Sequence, residues 1–444
     1  MFTGILPTIQ AFSQDCPRFG NLFGLCKNTY PFRSSTCIKC ANTSPRQLMI
    51  DYQLRTRLVA GEHAIQQLGL LAKQLGGKRV LIVSDPGVVD AGIFDLGVAE
   101  IRQANLDWVG FHQLAENPNT EHVRAGLAVA KDFRPDLIIG LGGGSSMDCA
   151  KGINFLYSCG GEMADYWGVG KATSPMLPLI AVPTTAGTGS ETQSFALISD
   201  AKTHVKMACG DSKAAPAIAI LDPILTRSQP AMVTALTGID ALTHALETFV
   251  TTKRNAISDC YSREAWTLLS RGFPRVIEDG SDLQGRSLMQ LGASFAGMAI
   301  EASMLGAAHA LANPLTAHLG VPHGQAVGMM MPHVIRFNAQ QVEPRYRELA
   351  HLLPEVPTSD PRLASEIIAD RFTHWLKIAG LATTIAGLPQ VRQNSAAREI
   401  TKPEGIPKLL QEMSEMAAKQ WTGNFNPRPV AQADFLEMYR AALG

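Results

Sequence analysis

Asp136-Leu-Ile-Ile-Gly-Leu-Gly-Gly-Gly-Ser-Ser-Met-Asp148 starts as an apolar run and ends in a glycine loop. Its first part, Asp136 to Leu141, carries no charge after Asp136, as expected of a strand buried on both faces. Gly142, Gly143 and Gly144 then allow backbone to approach a pyrophosphate. The helix expected next offers it unpaired N–H groups and a favourable dipole. Three glycines alone also fit a plain strand-to-helix turn, so the surrounding chain has to decide.

Similar runs lie on either side: Lys78 to Asp85 (KRVLIVSD), Leu177 to Val182 (LPLIAV) and Ala217 to Leu221 (AIAIL). Amphipathic stretches alternate with them, which is the pattern of a parallel sheet covered by helices. The loop after the third run, Pro183-Thr-Thr-Ala-Gly-Thr-Gly-Ser-Glu191, offers the hydroxyls of Thr184, Thr185, Thr188 and Ser190. A turn needs one such cap, whereas this density of donors suits phosphate, ribose or a carboxamide. Asp85 ends its strand, where a carboxylate accepts bonds from ribose hydroxyls and repels a 2′-phosphate, which favours NAD over NADP. It can equally open a turn before Pro86 and Gly87. In the common dinucleotide fingerprint the acid follows the glycines; here it precedes them.

After Pro223 the pattern changes to long helical periodicity, as in Ala235 to Phe249 and Tyr261 to Leu269. This reading divides the chain into a nucleotide-binding α/β domain at 49–225 and an all-helical, metal-binding domain at 226–444, with a ligand crevice between them. Within Gly238-Ile-Asp-Ala-Leu-Thr-His-Ala-Leu-Glu247, Asp240 and His244 are one turn apart and project from one helix face. A surface Asp–His hydrogen bond is the simpler use of such a pair. A second cluster follows, with His309 on a helix that Pro314 should kink or end. Gly320 and Pro322 then turn the chain before His323. Such a bend brings His323 back beside His309, and one carboxylate with three imidazoles suits Zn²⁺ or Fe²⁺.

Charge is balanced, with 39 basic and 39 acidic side chains, and hydrophobic residues make up 46%. Neither nucleic acid nor an anionic membrane is an expected partner, and no apolar run is long enough to span a bilayer. A small molecule is the expected ligand and the cytoplasm the expected compartment. Residues 1–48 hold half of the eight cysteines and show no periodicity. They read as an extension outside the fold, a targeting segment, or a start assigned too early, with Met49 opening the protein. Cys37 and Cys40 form one CxxC pair without a second, which argues against structural zinc.

Taken together, Asp85, Asn117-Pro118, GGGSSMDCAK at 142–151, PTTAGTGSE at 183–191, GIDALTHALE at 238–247 and the His309 to His323 segment resemble the iron-containing (group III) alcohol dehydrogenases. The resemblance runs from about Met49 to near the C-terminus. It implies an NAD-binding α/β domain and a helical domain whose metal ligands match Asp240, His244, His309 and His323. It implies cofactor contacts from Asp85, Asn117, Gly142, Gly143, Gly144, Ser145, Asp148, Thr184, Thr185, Thr188 and Lys206. Reversible hydride transfer between an alcohol and NAD(H) follows, in a homodimer or larger homo-oligomer. Many members carry a histidine four residues after the third ligand, where this chain has Asn313. An amide is no acid or base at neutral pH, so the proton must leave by water or a ribose hydroxyl. His318 falls on the opposite side of an ideal helix, and His333 reads as a hydrogen-bonded core histidine. Rival readings are a maleylacetate reductase or hydroxyacid dehydrogenase on the same fold, a dehydroquinate-synthase-like lyase, and a structural protein retaining an idle site.

Overall fold

The buried apolar runs form neighbouring strands of one parallel sheet. The protein is described by a computed structural model covering residues 52–203, 205–357, 359–393 and 406–444; the expectations for residues 1–48 lie outside them. The strands are β1 (Arg57–Ala60), β2 (Arg79–Val83), β3 (Asp107–Phe111), β4 (Leu137–Gly142), β5 (Gly168–Val169), β6 (Leu179–Pro183), β7 (Phe195–Ser199), β8 (Lys206–Gly210) and β9 (Ile218–Leu221). Six of them form a sheet in the order β1-β9-β6-β4-β2-β3, with every pair parallel. All residues of β4 and β6 are buried, as their charge-free sequences require.

The helices of this half are α1 (Leu68–Gln74), α2 (Pro86–Asp90), α3 (Ile93–Gln103), α4 (Thr120–Phe133) and α5 (Gly144–Cys159). Alternate residues of β2 enter different cores: Val80 and Ile82 pack with α1 and α3, Leu81 and Val83 with α4 and α5. Helices therefore cover both faces of the sheet. A small second sheet, β5-β8-β7, differs from the all-parallel expectation, because β7 and β8 form an antiparallel hairpin. That hairpin folds back over the loop before α4, where Ser199 N donates to Pro118 O at 2.9 Å.

From Ala231 onward the described residues are helical: α6 (Ala231–Val250), α7 (Ala256–Glu278), α8 (Leu283–Ala302), α9 (Ala307–Leu319), α10 (His323–Ala350) and α11 (Ala364–Ile378), then Ile406–Ala418 and Gln432–Ala441. The architecture is thus an N-terminal α/β part with a parallel sheet followed by a helical part. Every residue of α6 from Gly238 to Val250 is buried. A helix apolar all round belongs in a core, so the Asp240, His244 and Glu247 it carries need partners there. No single described helix is long and apolar enough to cross a membrane. Of the two outcomes expected at Pro314, a kink or an end, the end does not occur: α9 runs on to Leu319 and stops where Gly320 takes a left-handed φ of 63°. The proline's neighbours Leu311, Ala312 and Leu315 are wholly buried. Their packing offsets the hydrogen bond that a proline removes.

Candidate metal and nucleotide site

Asp240 and His244 project from α6, His309 from the first turn of α9, and His323 opens α10 just after the Gly320–Pro322 turn. Asp240 Oδ1 lies 3.4 Å from His244 Nε2, 3.5 Å from His309 Nε2 and 3.8 Å from His323 Nε2. Donor atoms of Asp240, His244 and His309 all fall within 4.8 Å of one another. His323 is the more open member, with 34% of its side chain exposed. Asp240 Oδ1 and His309 Nε2 are buried and have no hydrogen-bond partner among the described residues. Orphaned polar atoms of this kind are costly unless something binds them. Two donors each about 2.1 Å from an ion at the tetrahedral angle sit about 3.4 Å apart, which is the spacing found here. The residues therefore fit a single divalent metal.

Electrostatics support that fit. Burial works against charge on Asp240, but the imidazoles of His244, His309 and His323 overcome it and hold the carboxyl well below its usual range. Burial lowers His244, and it brings His323 down to about 3, leaving both neutral and able to ligate. Burial acts the same way on His309, yet Glu247 and Asp240 win and raise it to about 9.

Glu247 had no role assigned from sequence. Its Oε2 lies 2.6 Å from His309 Nδ1 and accepts from Gly306 N at 3.0 Å, while Oε1 accepts from Ala308 N at 2.7 Å. The available signal was its position as a second carboxylate in a largely apolar helical stretch, seven residues after Asp240 and three after His244. Asn313 follows His309 by one turn and donates from Nδ2 to Gln420 Oε1 at 2.8 Å. His318 is exposed and its Nε2 rests 3.0 Å from Met416 Sδ. His333 is half-buried with Arg336 nearby, not the core histidine expected.

The residues expected to contact a nucleotide assemble on the parallel sheet. Because β2 and β4 are adjacent, Asp85 at the end of one stands beside the glycine loop at the end of the other. Its Oδ2 accepts from Ser146 Oγ at 2.7 Å and its Oδ1 caps α2 through Val88 N at 3.1 Å, which is the turn-opening role. A Cβ added to Gly142 would sit 2.7 Å from Ser146 Cβ and 2.9 Å from Asp85 Oδ2, so the close approach there needs glycine. Asn117, in a left-handed conformation, donates its N–H to Ser145 Oγ at 3.2 Å, and its Oδ1 accepts from Lys206 Nζ at 3.3 Å. The β7–β8 hairpin brings Lys206 there.

The threonine loop bridges the two halves. Thr184 N donates to Gly142 O at 3.0 Å, and a Cβ on Gly143 would touch Thr185 at 3.4 Å. A Cβ on Gly144 would meet Thr188 Oγ1 at 2.7 Å. Gly143, Ser145, Thr185 and Thr188 keep partial exposure and line the open side, while Thr184 is buried. Gly187 and Gly189 allow this loop to press on the helical half: Cβ atoms there would meet Thr237 Cβ at 2.5 Å and Gly297 Cα at 2.6 Å. Asp148 faces inward, accepting from Ser190 Oγ at 2.7 Å and Leu197 N at 3.3 Å. The wholly buried Lys151 donates to Ser190 O and Oγ, each at 2.7 Å, so this pair braces the loop from behind.

Residues 55–223 match the family model described as iron-containing alcohol dehydrogenase, and residues 234–443 match its C-terminal counterpart. The chain is 33% identical over 397 residues to a 1,3-propanediol dehydrogenase of Citrobacter freundii, covering 89% of this chain and 99% of the relative. It is 32% identical over 405 residues to an NAD-dependent methanol dehydrogenase of Bacillus methanolicus, covering 89% of this chain and 100% of that one. A crystal structure of 1,3-propanediol oxidoreductase superposes with a TM-score of 0.82 at 32% identity, covering 89% of this chain and all of the other. With both halves of the fold matched along its length, the chain belongs to the iron-containing alcohol dehydrogenase family.

Proposed function

We propose that Asp240, His244, His309 and His323 hold one divalent iron ion beside a dinucleotide laid along Gly142–Ser145, Thr184, Thr185 and Thr188, and that the protein interconverts small alcohols and their aldehydes or ketones. Family membership makes the chain an NAD-dependent alcohol dehydrogenase. The relatives named for propanediol and methanol support a short primary alcohol as substrate. When bound, the metal supplies Lewis-acid polarisation and the nicotinamide accepts or donates hydride.

The chain's own residues supply placement and charge. Asp240 contributes the anionic donor, and its lowered pKa keeps it ionised across the working pH range. His323, the most exposed of the four, marks the side from which a substrate reaches the site. Asp85 presents a carboxylate to the ribose hydroxyls, and α5 aims its N-terminal N–H groups at the phosphates. Asn117 and Lys206 close the outer edge of that groove. Asn313 neither takes up nor delivers a proton, so proton exit runs through water or a ribose hydroxyl. Imidazole and carboxylate donors hold zinc as readily as iron, and the family supports iron. A homo-oligomer is part of the same proposal.

The carrying observation is that buried, unpartnered atoms of Asp240 and His309 face one another within ligand spacing. The test is metal analysis of the purified full chain together with NADH oxidation against short aldehydes, for wild type and His309→Ala. Loss of metal and of turnover together is expected. Full turnover in a variant shown to be metal-free would overturn the proposal.

A further inference from the structure

Glu247 joins the two helices that carry the buried metal donors. It is 2% exposed. It shares α6 with Asp240 and His244, while its carboxylate reaches across to His309 and to the first N–H groups of α9. The close approach is built in: a Cβ on Gly306 would lie 3.0 Å from Glu247 Oε1 and 3.3 Å from Asn426 Oδ1. A carboxylate at a helix N-terminus is favourable, and a cap alone would explain the two backbone bonds.

A cap does not explain the 2.6 Å contact with His309 Nδ1. A carboxylate accepts and does not donate, so the proton in that bond belongs to Nδ1. In the neutral ring the lone pair is then on Nε2, the atom that lies 3.5 Å from Asp240 Oδ1. The same contact sets the ring's orientation and the spacing of α6 from α9 before an ion arrives. We infer that Glu247 is a positioning residue that presets the tautomer and direction of His309 and thereby sets the affinity of the site for its metal. The inference rests on the metal tetrad proposed above.

Glu247→Gln separates the two roles. The amide oxygen still accepts from Ala308 N, while the NH₂ group now faces both Gly306 N, whose bond is lost, and Nδ1, where it favours the tautomer whose Nε2 carries hydrogen and cannot ligate. Stripped full-length wild type and variant are titrated with Zn²⁺ and with anaerobic Fe²⁺ against a competing chelator. Histidine ¹⁵N resonances are recorded on the metal-free forms. A rise in dissociation constant of roughly 10- to 100-fold is expected, with loss of the His309 Nδ1–H signal. Unchanged affinity overturns the inference, as does weakened affinity with that signal intact, which would make Glu247 a cap only. If thermal unfolding shows that Glu247→Gln does not fold, Glu247→Asp, with its carboxylate drawn back from His309, is read by the same two measurements. A wild type that binds neither ion would instead sink the metal proposal itself.

Discussion

Asn313 donates from Nδ2 to Gln420 Oε1 at 2.8 Å, one helical turn beyond His309 on α9. An amide pair thus occupies a place where the resemblance leads one to expect a titratable histidine. The kcat of the wild type should therefore show no ionisation from this position. Asn313→His should introduce an inflection near pH ~6.5 and cost about 1 kcal/mol of stability through the broken bond to Gln420. Rates measured from pH 5 to 9 on both proteins check this. An identical profile for the two would remove position 313 from the proton's route.

Metal binding should release a proton in a defined window. Burial opposes a charge on His309, but Glu247 and Asp240 raise it to about 9, whereas burial brings His323 to about 3 and lowers His244. Between pH 7 and 9 an incoming ion therefore displaces a proton from His309 and from neither of the other imidazoles. Apparent affinity should rise about tenfold per pH unit from 7 to 9 and then level off. Calorimetry in two buffers of different ionisation enthalpy should find close to one proton released at pH 8. Finding none released there would contradict this charge assignment.

Asp85 should govern the choice between dinucleotides. Replacing it with serine keeps a good cap for α2 while removing the negative charge beside the ribose site. The ratio of kcat/KM for NADPH to that for NADH should increase at least about tenfold, or ~1.4 kcal/mol. A constant ratio would place the 2′-position elsewhere.

Gly142→Ala should damage cofactor binding and spare the metal. The new Cβ would fall 2.7 Å from Ser146 Cβ and 2.9 Å from Asp85 Oδ2, forcing apart the loop and the start of α5. Overpacking of this kind costs about 1–3 kcal/mol. The KM for NADH should rise at least tenfold, an energy within that range, with metal content unaltered. A variant with normal KM would show that the loop yields without affecting the dinucleotide.

Local spacing was enough to identify much of this protein. Asp240 and His244 are one turn apart, so a helix alone puts them on one face. The near-continuous apolar runs before the glycine and threonine loops declare strands buried on both sides, whatever else the chain does. Those are properties of the 3.6-residue and two-residue periods, which operate within a single element. Residues distant in sequence meet only through topology. Asp85 reaches Gly142 because β2 and β4 are neighbours in the sheet, and Lys206 reaches Asn117 because an unanticipated antiparallel hairpin folds back. Pro314 signalled a kink or an end, and burial of the surrounding α9 residues carried the helix past it to Leu319. Glu247 was plainly visible as a letter, but its partners lie on another helix, and the contact that gives it meaning exists only after α6 and α9 have packed.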